Sequence, residues 1–259
     1  MTDTVQVTHH DGWAEVRLAR EAKRNAVDRA TRQGMLNAFE SLRGKARAVV
    51  LTGTGTAFCA GMDLKEREAD RAAGIETATD EWIAVNIAIR NHPSIFIAAV
   101  NGLALGGGAT LINVCDLAIA STQASIGCPE MGFATYPGMA GPAIQLAGLT
   151  RKQAAWLVLT TNRIDGATAE RWGMVNACVE PKALLPRAHE LAAQVARFDA
   201  VALAESKKAL DRIPGFITDW QEAMDHGNMV NLMIRSRTTA QAEGGARFAA
   251  GQKNPGQGV

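Results

Sequence analysis

The residues best suited to chemistry in this chain lie in the run Asn101-Gly102-Leu103-Ala104-Leu105-Gly106-Gly107-Gly108-Ala109-Thr110. A continuous apolar stretch, Ser94 to Val100, precedes them and reads as a buried strand, while Ala109 to Cys115 reads as the opening of a helix. Glycines at a strand-to-helix corner let a backbone N–H approach a ligand with no Cβ in the way. The helix behind them aims its positive end at the same spot, so the corner suits an anionic oxygen. It is not a nucleotide-phosphate loop, because no lysine follows the glycines in P-loop spacing. Nor does Gly106-Gly107-Gly108 have the Gly-x-Gly-x-x-Gly spacing of a dinucleotide site. The alternative is a tight turn in which glycine only permits close packing.

A second corner favours the anion reading. Arg47 to Thr52 reads as another buried strand, and Gly53 to Leu64 forms a second glycine-rich loop with no phosphate-binding lysine motif. Two such corners can offer two N–H groups to one oxygen, the arrangement of an oxyanion hole. A proton-transfer group would complete the set. Glu130 is the only charged residue between Ala124 and Ala134. Such a carboxylate is a solvated loop acid, a helix N-terminal acid after Pro129, or a base whose pKa apolar surroundings raise.

The elements that must position these residues follow a pattern. Val5 to Thr8 and Trp13 to Leu18 alternate with period two around Asp11-Gly12, which predicts a hairpin. Residues 28–43 carry Met35, Leu36, Phe39 and Leu42 at helical spacing. The strand over 46–52 leads into the first glycine corner. A helix around 76–90 precedes strand 94–100 and the second corner, and Asp116 to Ala120 is a further short strand. The rhythm is strand–strand–helix rather than a strict βαβ array. Beyond residue 140 helical patterns dominate, over 138–148, 150–160, 181–196, 200–212, 216–236 and 239–249, with only Val175 to Val179 extended.

Composition narrows the function classes. The 27 Lys+Arg nearly cancel the 26 Asp+Glu, so there is no electrostatic footprint for nucleic acid. No apolar run is long enough to span a bilayer, and Met1 to Gln6 shows no basic segment leading into an apolar one. These features lead us to expect a cytoplasmic protein without membrane partners. The cysteines, Cys59, Cys115, Cys128 and Cys178, form no Cys-x-x-Cys pair and share no metal spacing with the five histidines, so no metal site is expected.

Several spaced segments together resemble the crotonase superfamily, the enoyl-CoA hydratase/isomerase family. They are Arg20 to Val27, Ala57 to Leu64, Pro93 to Asp116, Cys128-Pro129-Glu130 through Pro137-Gly138, and Arg171 to Asn176, with a weaker match from Glu243 to Phe248. The resemblance covers nearly the whole chain in the family's order. It implies an α/β fold, a crotonase-like spiral of ββα units with a C-terminal helical oligomerisation region. Residues 1–195 are then the core holding the CoA-ester site. Residues 196–259 form a helical region packing on the core and on neighbouring subunits of a homotrimer or hexamer.

Carried over residue by residue, the resemblance puts the two oxyanion N–H groups on Met62 and Gly107. The family's second catalytic glutamate falls on Glu130, and its first on Thr110, a departure, since threonine orients water but is no base at neutral pH. Ala26, Ala60, Asp63, Leu64 and Gly106 fall on the CoA and pantetheine channel, and Lys23 and Arg24 are placed to meet CoA phosphates. Phe248 and Lys253 match a C-terminal region that touches the adenine end, although Gly251 occupies the family's usual lysine position there. Tyr136, the only tyrosine, either faces the acyl group or packs. Trp82 either shapes the acyl pocket or packs in the core, and packing is the expectation.

The string Ala60 to Glu66 and the small hydroxyl residue at 110 resemble the hydroxycinnamoyl-CoA hydratase-lyases. However, Arg67 stands where one of their phenol-binding tyrosines would be. The reading is an acyl-CoA enzyme that stabilises a thioester enolate with one main glutamate, an enoyl-CoA hydratase/isomerase. It needs no separate cofactor, because coenzyme A arrives as part of the substrate. Alternatives are a lyase, decarboxylase or thioesterase on the same scaffold, or a weak RNA- or CoA-binding homologue.

Overall fold

The computed structural model describes residues 4–75, 77–252 and 256. Strands β1 (Val5–His9) and β2 (Trp13–Leu18) form the expected antiparallel hairpin, with Val5 opposite Leu18 and His9 opposite Ala14. Helix α1 (Arg29–Leu42) follows, capped by the Asp28 carboxylate, which accepts from Thr31 N. The chain then repeats a unit. β3 (Ala48–Gly53) and β4 (Ala57–Cys59) lead to α2 (Leu64–Ala72) and α3 (Ala78–Arg90). β5 (Ile95–Val100) and β6 (Leu103–Leu105) lead to α4 (Gly107–Val114). β7 (Leu117–Ser121) and β8 (Ser125–Gly127) lead to a 3-10 turn over Glu130–Phe133 and to α5 (Ala140–Leu146).

After α6 (Arg151–Thr160) come β9 (Ile164–Asp165), α7 (Gly166–Arg171), β10 (Ala177–Val179) and α8 (Pro181–Val195). The first strand of each unit enters one sheet and the second strand enters another. Among the described residues, a six-stranded sheet runs β1-β2-β3-β5-β7-β10 and a four-stranded sheet runs β4-β6-β8-β9. Parallel pairing of β3 with β5, and of β4 with β6 across a register shift between Ala57 and Cys59, stacks successive units. The glycine corners therefore come to lie side by side.

The continuous apolar runs of the larger sheet are explained by cover on both faces. Val49, Leu51, Phe96, Ala98 and Val100 point into the main core with Phe39, Leu42 and Trp82. The alternating residues Val50, Ile97 and Ala99 point the other way, onto Leu184, Ala188, Ala192 and Val195 of α8. Those four share one helical face by spacing. The chain ends in α9 (Ala200–Phe216), α10 (Trp220–Arg237) and α11 (Ala240–Ala249). Among the described residues, α10 and α11 bury none of their own, and Phe216, Trp220 and Met224 are exposed. No described helix is long and apolar enough to cross a membrane.

The strand–strand–helix rhythm and the helical second half agree with expectation. Helices α2 and α7 do not, since both regions lacked a periodic signal. Segment 64–72 is mostly charged, and ion pairs rather than an apolar stripe hold it: Arg32 reaches Glu66 at 3.0 Å and Arg29 reaches Asp70 at 3.1 Å. Helix α7 spans only six residues and is set by its cap, Asp165 accepting from Thr168 N at 2.7 Å.

Candidate active site

Two asparagines build the first glycine corner. Asn25, buried with a left-handed φ of 55°, donates through Nδ2 to Thr54 O at 2.9 Å and Ala57 O at 2.7 Å. Asn101 donates to Gly55 O at 2.9 Å and to Ala57 O at 3.1 Å. Together they satisfy turn carbonyls that would otherwise be left without partners, which fixes the β3–β4 loop. The segment beyond β4 is held next. Val27 N donates to Gly61 O at 2.8 Å and Asp63 N donates to Val27 O at 3.0 Å, a one-residue parallel bridge between Val27 and Met62. In such a bridge the central residue's own N–H points away from its partner. Met62 N–H is therefore turned away from Val27, and no acceptor among the described residues takes it.

The second corner meets the first at Gly61, whose φ of +91° suits glycine. A Cβ there would lie 2.8 Å from Leu105 O and 3.3 Å from Gly107 N, so the two loops are in contact. Gly107 opens α4, and its N–H is one of the first-turn donors that have no partner within the helix. Gly106, at φ +51°, turns the chain into that helix, and a Cβ there would come within 2.5 Å of Glu130 Oε1. Glycine at 106 thus gives the carboxylate its place beside the corner.

Glu130 begins the 3-10 turn after Pro129. Its Oε2 is buried and has no hydrogen-bond partner among the described residues. Burial pushes its carboxyl above the usual carboxylate range, only partly offset by a hydrogen bond from its own backbone. Neighbouring Cys128 is pushed up to about 12, mainly by burial and then by Glu130. Cys59 is likewise pushed up to about 12 by burial, so neither thiol is a nucleophile at neutral pH. Among the described residues no group of three His, Cys, Asp or Glu is placed to hold a metal.

A cavity of about 860 Å³ joins these parts. Of the expected site residues, Ala60, Met62, Leu64, Gly106, Gly107 and Glu130 line it, and Arg67 of α2 lines it as well. Thr110 does not. It is 2% exposed, its hydroxyl donates to Gly106 O at 3.2 Å, and it lines a second cavity of about 980 Å³.

The remaining expected residues stand outside the first cavity. Asp63 caps α2 and pairs with Arg20 at 3.1 Å. Burial raises its pKa, but Arg20 and the cap N–H groups outweigh this and leave it low. Ala26 O accepts from Arg20 Nη1. Lys23 and Arg24 are exposed on the turn after β2. Tyr136 is 54% exposed and its hydroxyl packs against Gly141 of α5, while Phe248 is 73% exposed on α11. Lys253 lies outside the described residues.

Sequence reasoning missed the roles of Asn25 and Asn101, and for Trp82 it expected packing over a place at the pocket. Trp82 is 1% exposed, as expected of core packing, yet its ring touches the site: a Cβ on Gly107 would lie 3.2–3.3 Å from Cζ2, Cε2 and Nε1. The only signal for Asn101 was a polar residue at a turn in an otherwise apolar run, and Asn25 follows the charged stretch Arg20 to Arg24, so both point to turn-building as readily as to anything else. Chemically, two free N–H groups and a poorly solvated carboxylate around one cavity can take a proton from a carbon beside a carbonyl and hold the resulting oxyanion.

Known proteins share this architecture. The family model described as enoyl-CoA hydratase/isomerase matches residues 8–250. The chain is 32% identical over 245 residues to a probable mitochondrial enoyl-CoA hydratase 2 of Arabidopsis thaliana, covering 93% of this chain and 80% of that one. It is 36% identical over 192 residues to a probable enoyl-CoA hydratase of Rhizobium meliloti, covering 73% and 72% of the two chains. A solved enoyl-CoA hydratase from Bacillus anthracis superposes with a TM-score of 0.88 at 28% identity, covering 99% of this chain and 100% of that one.

Proposed function

This chain belongs to the enoyl-CoA hydratase/isomerase family of the crotonase superfamily, and we propose that it moves a proton on an acyl-CoA thioester with one carboxylate, Glu130. In this reading the thioester oxygen sits between Met62 N–H and Gly107 N–H. Glu130 removes a proton from C2 of a 3-enoyl chain, negative charge gathers on that oxygen, and the same carboxyl returns the proton at C4. The observation that carries the reading is the buried, unpartnered Glu130 Oε2 beside the Gly106–Gly107 corner. A carboxylate with one oxygen free of hydrogen bonds and a raised pKa is suited to take a proton from carbon. Double-bond migration is favoured over hydration because Thr110 donates its hydroxyl to Gly106 O and lines the other cavity.

No separate cofactor enters this scheme, since coenzyme A belongs to the substrate. We further propose that residues 1–195 form the catalytic core. The helices beyond 196, with exposed Trp220, Met224 and Leu232, pack on other copies in a trimer or hexamer. Balanced charge supports an enzyme that does not bind nucleic acid, and the reading takes it as cytoplasmic. The test is a panel of 2-enoyl-, 3-enoyl-, 3-hydroxyacyl- and malonyl-type CoA thioesters, with mass spectrometry for water addition, cleavage or decarboxylation and chromatography for isomers. Absence of turnover on every member would sink the proposal. Light scattering showing a monomer at micromolar concentration would sink the assembly.

A further inference from the structure

Helices α3 and α4 run side by side and in the same direction. At one end Trp82 packs against Gly107; at the other, Arg90 Nη1 donates to Val114 O at 3.1 Å. Asn86, midway between Trp82 and Arg90, therefore lies level with Thr110. This seam holds an excess of unsatisfied polar atoms. Trp82 Nε1, Asn86 Oδ1 and Asn113 Oδ1 are all buried and lack a hydrogen-bond partner among the described residues. Trp82 and Asn86 are 1% and 6% exposed.

The amide orientations are fixed locally. Asn86 Nδ2 donates to Trp82 O and Asn113 Nδ2 donates to Ala109 O, each at 2.7 Å, which leaves both carbonyl oxygens as acceptors. Thr110 spends its hydroxyl proton on Gly106 O. Asn86, Thr110 and Asn113 all line the second cavity, while Gly107, one turn before Thr110, lines the first.

We infer that the seam between α3 and α4 binds the distal part of the acyl group, and that this part carries a neutral hydroxyl. The inference rests on the acyl-CoA reading above and names the substrate class for that site. A hydroxyl accepts one hydrogen bond and donates another, so it can pair with the free indole N–H and with one of the two free amide carbonyls. A carboxylate is disfavoured, because the carbonyls repel it and the nearest guanidinium, Arg90, is engaged by Asp116 and Asp211. A plain hydrocarbon leaves all three buried groups unpaired, which is the costly outcome. At about 1.5 Å of rise per residue, Thr110 and Asn113 lie about 4.5 and 9 Å beyond Gly107 along α4, the reach of an acyl chain of roughly five to seven carbons.

The experiment compares enoyl-CoA substrates of six carbons that differ only at the far end: a methyl, a hydroxyl or a carboxylate. The hydroxyl form is expected to have a kcat/KM at least about tenfold above the methyl form, with the carboxylate lowest. In Asn86→Leu and Asn113→Leu the hydroxyl-to-methyl ratio is expected to fall towards one, whatever happens to absolute rates. Trp82→Phe, which removes the N–H together with part of the ring, gives a third reading of the same ratio, since lost volume alone acts on the methyl and hydroxyl forms alike. A wild-type ratio near or below one would overturn the inference, and would mean that ordered water fills the seam. If no thioester turns over, the acyl-CoA reading fails separately. Calorimetric binding of the saturated six-carbon hydroxyacyl- and acyl-CoA then decides the seam: tighter binding of the hydroxyl form supports it and equal binding refutes it.

Discussion

Replacing Glu130 with glutamine separates the roles assigned to the carboxylate and to the N–H groups. Glutamine keeps the volume and one carbonyl but takes no proton from carbon. General acid–base groups contribute about 10²–10⁴ in rate, equivalent to about 2.7–5.5 kcal/mol of barrier. Turnover of the best thioester should fall by that range. Binding should persist, because Met62 N–H, Gly107 N–H and the cavity walls are untouched. The assay pairs steady-state kcat with calorimetric Kd for a saturated thioester, and Kd should stay within about threefold of wild type.

The same substitution has a stability signature with a definite sign. Burial raises the Glu130 pKa in the folded state above its unfolded value. Below the unfolded value both states are protonated and burial costs little. As pH rises through the folded pKa, the folded state must hold an ionised, poorly solvated carboxylate, so stability is lost. Glutamine never ionises. Glu130→Gln should therefore melt higher than wild type at pH 7 or above and gain nothing at pH 3.5. In the wild type, the acid limb of kcat/KM should lie above the ordinary carboxylate range, because only the ionised form accepts a proton. Wild-type kcat in the variant, or a melting gain that does not change with pH, would refute the reasoning.

Other perturbations read other parts of the molecule. Gly107→Ala places a methyl 3.2–3.3 Å from the Trp82 ring and shifts the N–H proposed as one oxyanion donor, so kcat should drop by at least about tenfold in a protein with unchanged circular dichroism. Lys207 of α9 is 3% exposed, donates to Ile89 O and Ser94 O, and pairs with Asp116 at 2.9 Å. Lys207→Met should cost about 3–5 kcal/mol in urea unfolding, since it strips a buried carboxylate and two carbonyls of a partner. Arg32 is buried between Glu66 of α2 and Glu81 of α3, at 3.0 and 2.8 Å. Arg32→Leu should raise KM and speed amide exchange over residues 64–72, and unchanged exchange would mean that apolar contacts hold α2.

How much of this was legible in the sequence follows from which forces act locally. The glycine corners were readable because the backbone at Gly106 (φ +51°, ψ −107°) and at Gly61 (φ +91°) lies beyond the left-handed helical conformation that Asn25 adopts, and glycine takes it up without strain. The buried strands were readable because cover on both faces demands unbroken apolar runs. Helix α2 was not, because its order comes from Arg29 and Arg32 of another helix rather than from its own pattern. Thr110 was placed correctly in the chain by its offset from Gly107, but no local signal says which of two cavities a helical side chain will face.

The asparagines were opaque for a related reason. Asn25, Asn86, Asn101 and Asn113 have the same chemical grammar, an amide with two donors and an acceptor. The first and third are paired on both their oxygen and their nitrogen, and each holds a turn. The second and fourth spend only their nitrogens within their own helices and leave an oxygen unpaired in the interior. Only the tertiary packing of α3 on α4 separates these cases. Among the described residues, the buried side-chain polar atoms without a partner are on Glu130, Trp82, Asn86, Asn113 and one nitrogen of Arg32, so most of this unsatisfied polarity lies along one path. That path runs from the carboxylate of Glu130, past Gly107, and on along α4. A substrate hydroxyl held in the seam would pair the indole N–H and one of the two amide oxygens, and the hydroxyl-to-methyl ratio of kcat/KM reads that pairing directly.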